Sequence, residues 1–195
     1  MKKILIVLLS LSFVFSVEVL AQKKPLPKKP KSTKTSSTEE MGKEFVSTEG
    51  KFKILFPAPP TIKVTDEGQG ESRFKSVTHR VFGGALGYGV TFTDSFSTAK
   101  MSDEVSIENL RDLIARSSKV VKETKLNLNQ IMGLELVYLK TGQSILSQHR
   151  IYSVGKRWYE VVVTYPFFSG EDPEEVMAKN KTEANKFFDS FQILK

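Results

Sequence analysis

The sequence predicts an α+β fold, a largely antiparallel sheet flanked by helices in an α/β/α-type sandwich, and three observations predict it. From Phe45 to Tyr165 apolar residues recur with period two in segment after segment, the spacing of half-buried strands. Short turns, several containing Gly, join these segments, so neighbours should pair as hairpins. Two amphipathic stretches, one in mid-chain and one at the end, supply helices to cover the sheet.

Three regions precede or carry that pattern. Met1-Lys2-Lys3 is a positive start, Ile4 to Val17 is an almost unbroken apolar run of 14 residues, and Val19-Leu20-Ala21 precedes Gln22. This order matches a secretory signal peptide, and the run is shorter than the roughly 20 residues a membrane-spanning helix needs. Residues 1–21 are thus expected to be removed near Ala21, and the chain to be exported to the periplasm or secreted, with a bacterial host implied by the style of the signal. There is no Cys. That excludes disulfides, thiol catalysis and thiolate metal sites, and leaves stability to the core.

Residues 22–43 read as a disordered linker rich in Lys, Pro, Ser and Thr, with little to bury and prolines that favour an extended path. Lys23, Lys24, Lys28, Lys29, Lys31 and Lys34 make it cationic. They serve as a solvated spacer or as a weak tether to anionic lipid or cell-wall polymer, worth about 1 kcal/mol per Lys near such a surface. Residues 1–43 carry a net charge of +6, whereas 44–195, the expected domain, carry only +1. The high pI therefore belongs to the tail, and a nucleic-acid-binding domain, which would gather Lys and Arg on a folded face, is not expected.

Within the domain Phe52, Ile54 and Phe56 share a strand face, and Pro57-Ala58-Pro59-Pro60 stops that strand because proline cannot donate to a ladder. Thr61 to Asp66 is extended, and Asp66-Glu67-Gly68-Gln69-Gly70 is a turn-rich loop. Phe74 to Phe82 and Leu86 to Thr93 are strands joined through Gly83-Gly84. A helix then begins at the N-cap Ser102, with Asp103 and Glu104 at its positive end and Ile107, Leu110, Leu113 and Ile114 on its apolar stripe. Strands return over 120–128, 134–140, 145–154 and 157–165. Gly155-Lys156 between the last two has Gly first, the type II′ hairpin signature. Asp172 caps a closing helix with Pro173 at its first position, and Met177, Ala184, Phe187, Phe188 and Phe191 face inward.

Four stretches carry a family likeness: Phe52-Lys53-Ile54-Leu55-Phe56-Pro57; Ile131-Met132-Gly133; the hairpin from Arg150 to Tyr159; and Phe187-Phe188-Asp189-Ser190-Phe191. They resemble the PsbP-like / Mog1-like superfamily, in particular its exported bacterial members, over roughly Phe45 to Leu194. The resemblance implies an antiparallel sheet with flanking helices and a non-enzymatic role, since named relatives dock onto larger protein machines. It assigns no partner-binding residue to a position here.

Residues capable of chemistry do not converge in the sequence. His79 and His149 are lone strand histidines, and neither a His-Glu-x-x-His nor a Gly-x-Ser-x-Gly is present. Ser190 follows Asp189 among phenylalanines and reads as packing. Gly83, Gly84, Gly87 and Gly89 match no phosphate loop; Gly87 and Gly89 are read as leaving one sheet face bare for a helix or ligand. The 66–71 loop lacks EF-hand spacing, and Asn180-Lys181-Thr182 is a glycosylation sequon by chance. Trp158 alternates with Tyr159 and should face away from it, packed under another element or exposed as a partner anchor. The sequence thus predicts no catalytic residue, metal or cofactor. It points to a binding or accessory module that meets an envelope protein, or alternatively a small-molecule or lipid carrier with a pocket between helix and sheet.

Overall fold

The computed structural model describes residues 42–97 and 101–195. The leader, the linker through Met41 and the six tether lysines lie outside the described residues.

Thirteen elements follow in order: β1 (Glu44–Ser47), β2 (Phe52–Leu55), β3 (Thr61–Glu67), β4 (Phe74–Gly83), β5 (Leu86–Ser95), α1 (Asp103–Arg116), β6 (Ser118–Leu128), β7 (Ile131–Lys140), β8 (Ile145–Val154), β9 (Arg157–Pro166), α2 (Pro173–Lys179), α3 (Lys181–Asp189) and β10 (Gln192–Ile193). Seven strands form one sheet in the order β3-β4-β5-β9-β8-β7-β6, antiparallel throughout. It is two meanders, one on each side of α1 in the chain, fused where β5 pairs with β9. At that seam Thr91 stands opposite Glu160 and Phe92 opposite Tyr159.

The β8–β9 turn is the type II′ hairpin expected: Val154 pairs with Arg157, and Gly155 takes a φ of +63°. The β6–β7 turn uses Asn129 and Gln130, both at positive φ, and the Asn127 carboxamide oxygen accepts the Gln130 N–H at 2.8 Å. This turn has no glycine to advertise it, only Asn129, which tolerates the left-handed region better than most residues.

Two expectations are corrected. The layer over one sheet face is not helical alone, because β1, β2 and β10 form a separate three-stranded antiparallel sheet there beside α2 and α3. Alternation does mark the β2 strand, but β1 has four residues and β10 only two, too few to show in the sequence that they pair with β2 as a sheet of its own. The closing helix is also two helices. At Asn180 the side-chain amide donates to the Val176 carbonyl at 3.0 Å, while the backbone N–H of Asn180 goes to Met177. The side chain thus replaces the regular i to i−4 bond, and the helix breaks.

The two faces of the seven-stranded sheet are filled differently. On the first, Tyr88, Val90 and Phe92 of β5 and Tyr159, Val161, Val163 and Tyr165 of β9 meet Phe52, Ile54, Phe56, Phe187 and Phe191. Arg157 locks the small sheet on: it makes two bonds of 2.6 Å to the Asp94 carboxylate, donates to the Glu49 carbonyl at 2.8 Å and lies over the Phe92 ring. On the second face α1 packs across β6, β7 and β8, with Ile107, Leu110 and Ile114 on Leu134, Leu136 and Ile151. Its N-terminus is held twice. Ser102 accepts the Val105 N–H, and Asp103 accepts from the Ser153 hydroxyl at 2.9 Å and the Gly155 N–H at 3.0 Å.

Candidate functional site

Where α1 stops, the second face changes chemistry. Over β9, β5 and β4 its outward residues are Trp158, Glu160, Val162 and Thr164, then Thr93, Thr91, Gly89 and Gly87, then Phe74, Ser76, Thr78, Arg80 and Phe82. The packing helix touches none of these three strands extensively, and the middle of the strip carries short polar side chains where β6–β8 place aliphatic ones. Among the described residues, all buried polar side chains except Ser47 and His79 lie on this face. The hydroxyls pair across strands, Ser76 with Thr93 at 2.7 Å and Thr78 with Thr91 at 3.0 Å. Each pair holds two hydroxyl hydrogens and uses one between its members, so one hydrogen per pair is left for another acceptor. Trp158, Val162 and Thr164 flank these buried hydroxyls and are half-buried.

Beside them sits a carboxylate, imidazole and phenol in a row. Tyr138 on β7 bonds His149 Nε2 on β8 at 2.7 Å, and His149 Nδ1 lies 3.5 Å from Glu160 Oε2 on β9. The second distance allows charge attraction, but Nδ1 has no hydrogen-bond partner. Burial, and then the Glu160 charge, raise the Tyr138 phenol well above its ordinary range, so it stays a neutral hydroxyl. The row lacks an activated nucleophile: a neutral phenol wedged beside Leu136 and α1 is not poised for attack.

The residues singled out in the sequence are dispersed. Trp158 stands on the second face between Thr93 and Ser153, opposite in direction to Tyr159. His149 shares that face, but His79 is on the first, boxed by Phe45, Phe52 and Phe92 with ring centroids 5.1, 5.3 and 6.2 Å away. The sheet itself separates the two histidines. Among the described residues no group of three or more His, Asp or Glu could hold a metal ion, and no helix is long and apolar enough to cross a membrane. Asp66 is taken by Arg73 through bonds of 2.9 and 2.7 Å, which draws the 66–71 loop into an ion pair. Ser190 donates to the Phe187 carbonyl and accepts the Leu55 N–H, joining α3 to β2. The reading of Gly87 is corrected: a Cβ there would strike the Thr164 hydroxyl and lie 3.1 Å from the Phe82 ring, so neighbouring side chains fill the space a helix or ligand was expected to take. At Gly89 a Cβ would meet nothing closer than 3.6 Å, so a side chain can start there in ordinary contact.

Glu160 and Tyr138 were not legible as part of a site. The hairpin register did hold the signal, because pairing Val154 with Arg157 puts Ile151 opposite Glu160 and His149 on the diagonal.

Burial is the main cause lowering the His79 pKa below 6.5, tempered by the Val90 backbone and the Glu49 charge, and its Nδ1 has no partner. The unfolded chain therefore binds the proton more readily than the folded one. Stability should fall as pH drops through 6.5 and level off beneath the folded-state pKa. Urea denaturation between about pH 5 and 7 should show this slope in the native chain and a flatter one in His79→Leu. Equal slopes would mean that His79 is not the group responsible.

No family model and no curated protein matches the chain. Among solved structures it is similar to a protein from Bacteroides thetaiotaomicron VPI-5482, at 15% identity and a TM-score of 0.37 over 80% of this chain and 50% of that one. It spans half the length of that protein. It is also similar to a protein of unknown function from Pseudomonas aeruginosa, at 12% identity and a TM-score of 0.36 over 74% of this chain and 93% of that one.

Proposed function

We propose that this chain is an exported, non-catalytic binding or accessory module of the bacterial cell envelope, related to the PsbP-like / Mog1-like superfamily, and that it meets a partner protein on the second sheet face beside Trp158. One observation carries the reading: the central strands β4, β5 and β9 present hydroxyls, a carboxylate and a half-buried tryptophan where a sheet closed on both sides would present aliphatic residues. Aliphatic packing of Ile107, Leu110 and Ile114 against Leu134, Leu136 and Ile151 favours a module that binds at its surface over a carrier with a pocket between helix and sheet. The cationic tail adds a weak, salt-sensitive attraction to anionic lipid or cell-wall polymer.

The test compares envelope proteins retained by the native chain and by Gly89→Gln. At Gly89 an added Cβ enters ordinary contact, and it leaves β5 on the face of the strip, between Arg80 and Val162. The variant should fold normally and lose a partner that the native chain retains.

A further inference from the structure

Glu160 is a mostly buried carboxylate that accepts no hydrogen bond among the described residues. Its side chain is only 12% exposed, yet among the described residues its one ion-pairing neighbour is His149 Nδ1, 3.5 Å away and without a hydrogen bond. The residues across the strands from it are Thr91, whose hydroxyl pairs with Thr78 and makes no bond to Glu160, and the aliphatic Ile151. A carboxylate with so little water around it and no aligned donor among the described residues is a good place for a cation to bind. Its position suits one. Trp158 projects from the same face two residues earlier on β9, about 7 Å along the strand, so a planar cation can lie between ring and carboxylate. The Thr91 and Thr93 oxygens beside them offer further lone pairs.

We propose that Glu160 and Trp158 form a recognition site for the guanidinium of an arginine side chain on the partner protein. This rests on the binding reading above and names the chemistry of its contact. Arginine fits better than lysine because its flat fork can face the carboxylate edge-on while stacking on the indole. His149 is a positioning residue: held at Nε2 by Tyr138, it turns Nδ1 toward Glu160 and steadies the carboxylate without filling its acceptor sites.

The chain has one tryptophan, so its emission reports the site directly. The full chain is titrated with capped Gly-Arg-Gly peptide, with the same peptide carrying citrulline in place of arginine, and with agmatine. The proposal expects a saturable change in Trp158 emission with the arginine peptide, none with the citrulline peptide, and affinity at least about tenfold weaker in Glu160→Gln, a difference of roughly 1.4 kcal/mol. The two peptides are compared on the native chain, so the result stands even if Glu160→Gln does not fold. No saturation by the arginine peptide up to about 10 mM, a weakness near 3 kcal/mol on the 1 M scale, would overturn it. So would equal binding of the citrulline peptide, or binding by a folded Glu160→Gln as tight as the native. Saturation by agmatine without the peptide would assign the site to a free small cation and overturn the partner assignment. If the probes fail while Gly89→Gln still loses a retained protein, the contact chemistry is wrong and the binding face stands.

Discussion

Replacing Phe52 with Ala should cost about 3–5 kcal/mol of stability, among the largest losses any single truncation in this chain can cause. The ring is 0% exposed and lies within 6.5 Å, centroid to centroid, of Phe45, His79, Phe92, Tyr159 and Phe191. Those five residues come from β1, β4, β5, β9 and the segment after α3, so one deletion loosens every element that holds the small sheet to the large one. The hole cannot collapse easily, because Gly50 already lies against the Phe52 and Phe92 rings. Urea denaturation should show the midpoint moving far down, whereas Val64→Ala, on an exposed edge strand, should change stability by about 0.5 kcal/mol or less. A Phe52→Ala loss below about 1.5 kcal/mol would mean that the two sheets do not share a core.

Arg150→Ala should cost about 2–4 kcal/mol, for a different reason. Arg150 on β8 donates to Glu135 on β7 at 2.9 Å and to Asp189 at the end of α3 at 3.2 Å, and its guanidinium lies 4.5 Å from the Phe188 ring centre. Glu135 is 14% exposed. Removing the arginine strands that carboxylate with little water to replace its partner, and it frees α3 from the sheet. The cost is mostly that of the orphaned charge, so the double substitution Glu135→Leu with Arg150→Met should recover most of it. Denaturation of the two single variants and the double one forms the cycle that measures this. A double variant as unstable as the sum of its singles would place the energy in packing alone.

Much of the fold was readable because the large sheet obeys one rule. Period-two alternation located β2 and most of the large sheet, and the hairpin turns set the order within each meander, while Ser102 and Asp172 marked the starts of α1 and α2 through their side-chain caps. What escaped was non-local or short. β10 closes the small sheet on β2 across some 140 residues with a two-residue strand, and no local pattern announces such a pairing. The break at Asn180 depends on one carboxamide choosing a carbonyl. The candidate site was half legible: Trp158 was singled out, while Glu160 looked like an ordinary outward residue. Its meaning comes from His149 on the neighbouring strand and from the absence, among the described residues, of a helix packed over β5, neither of which one strand's sequence contains.

The difference in chemistry between the two sheet faces is most directly tested by comparing what the native chain and Gly89→Gln retain from the envelope, with thermal unfolding measured on both. Retention by the native chain, lost in a variant that melts within a few degrees of it, is the predicted result. Identical retention by both chains would contradict it, because a side chain laid across the strip would then obstruct nothing.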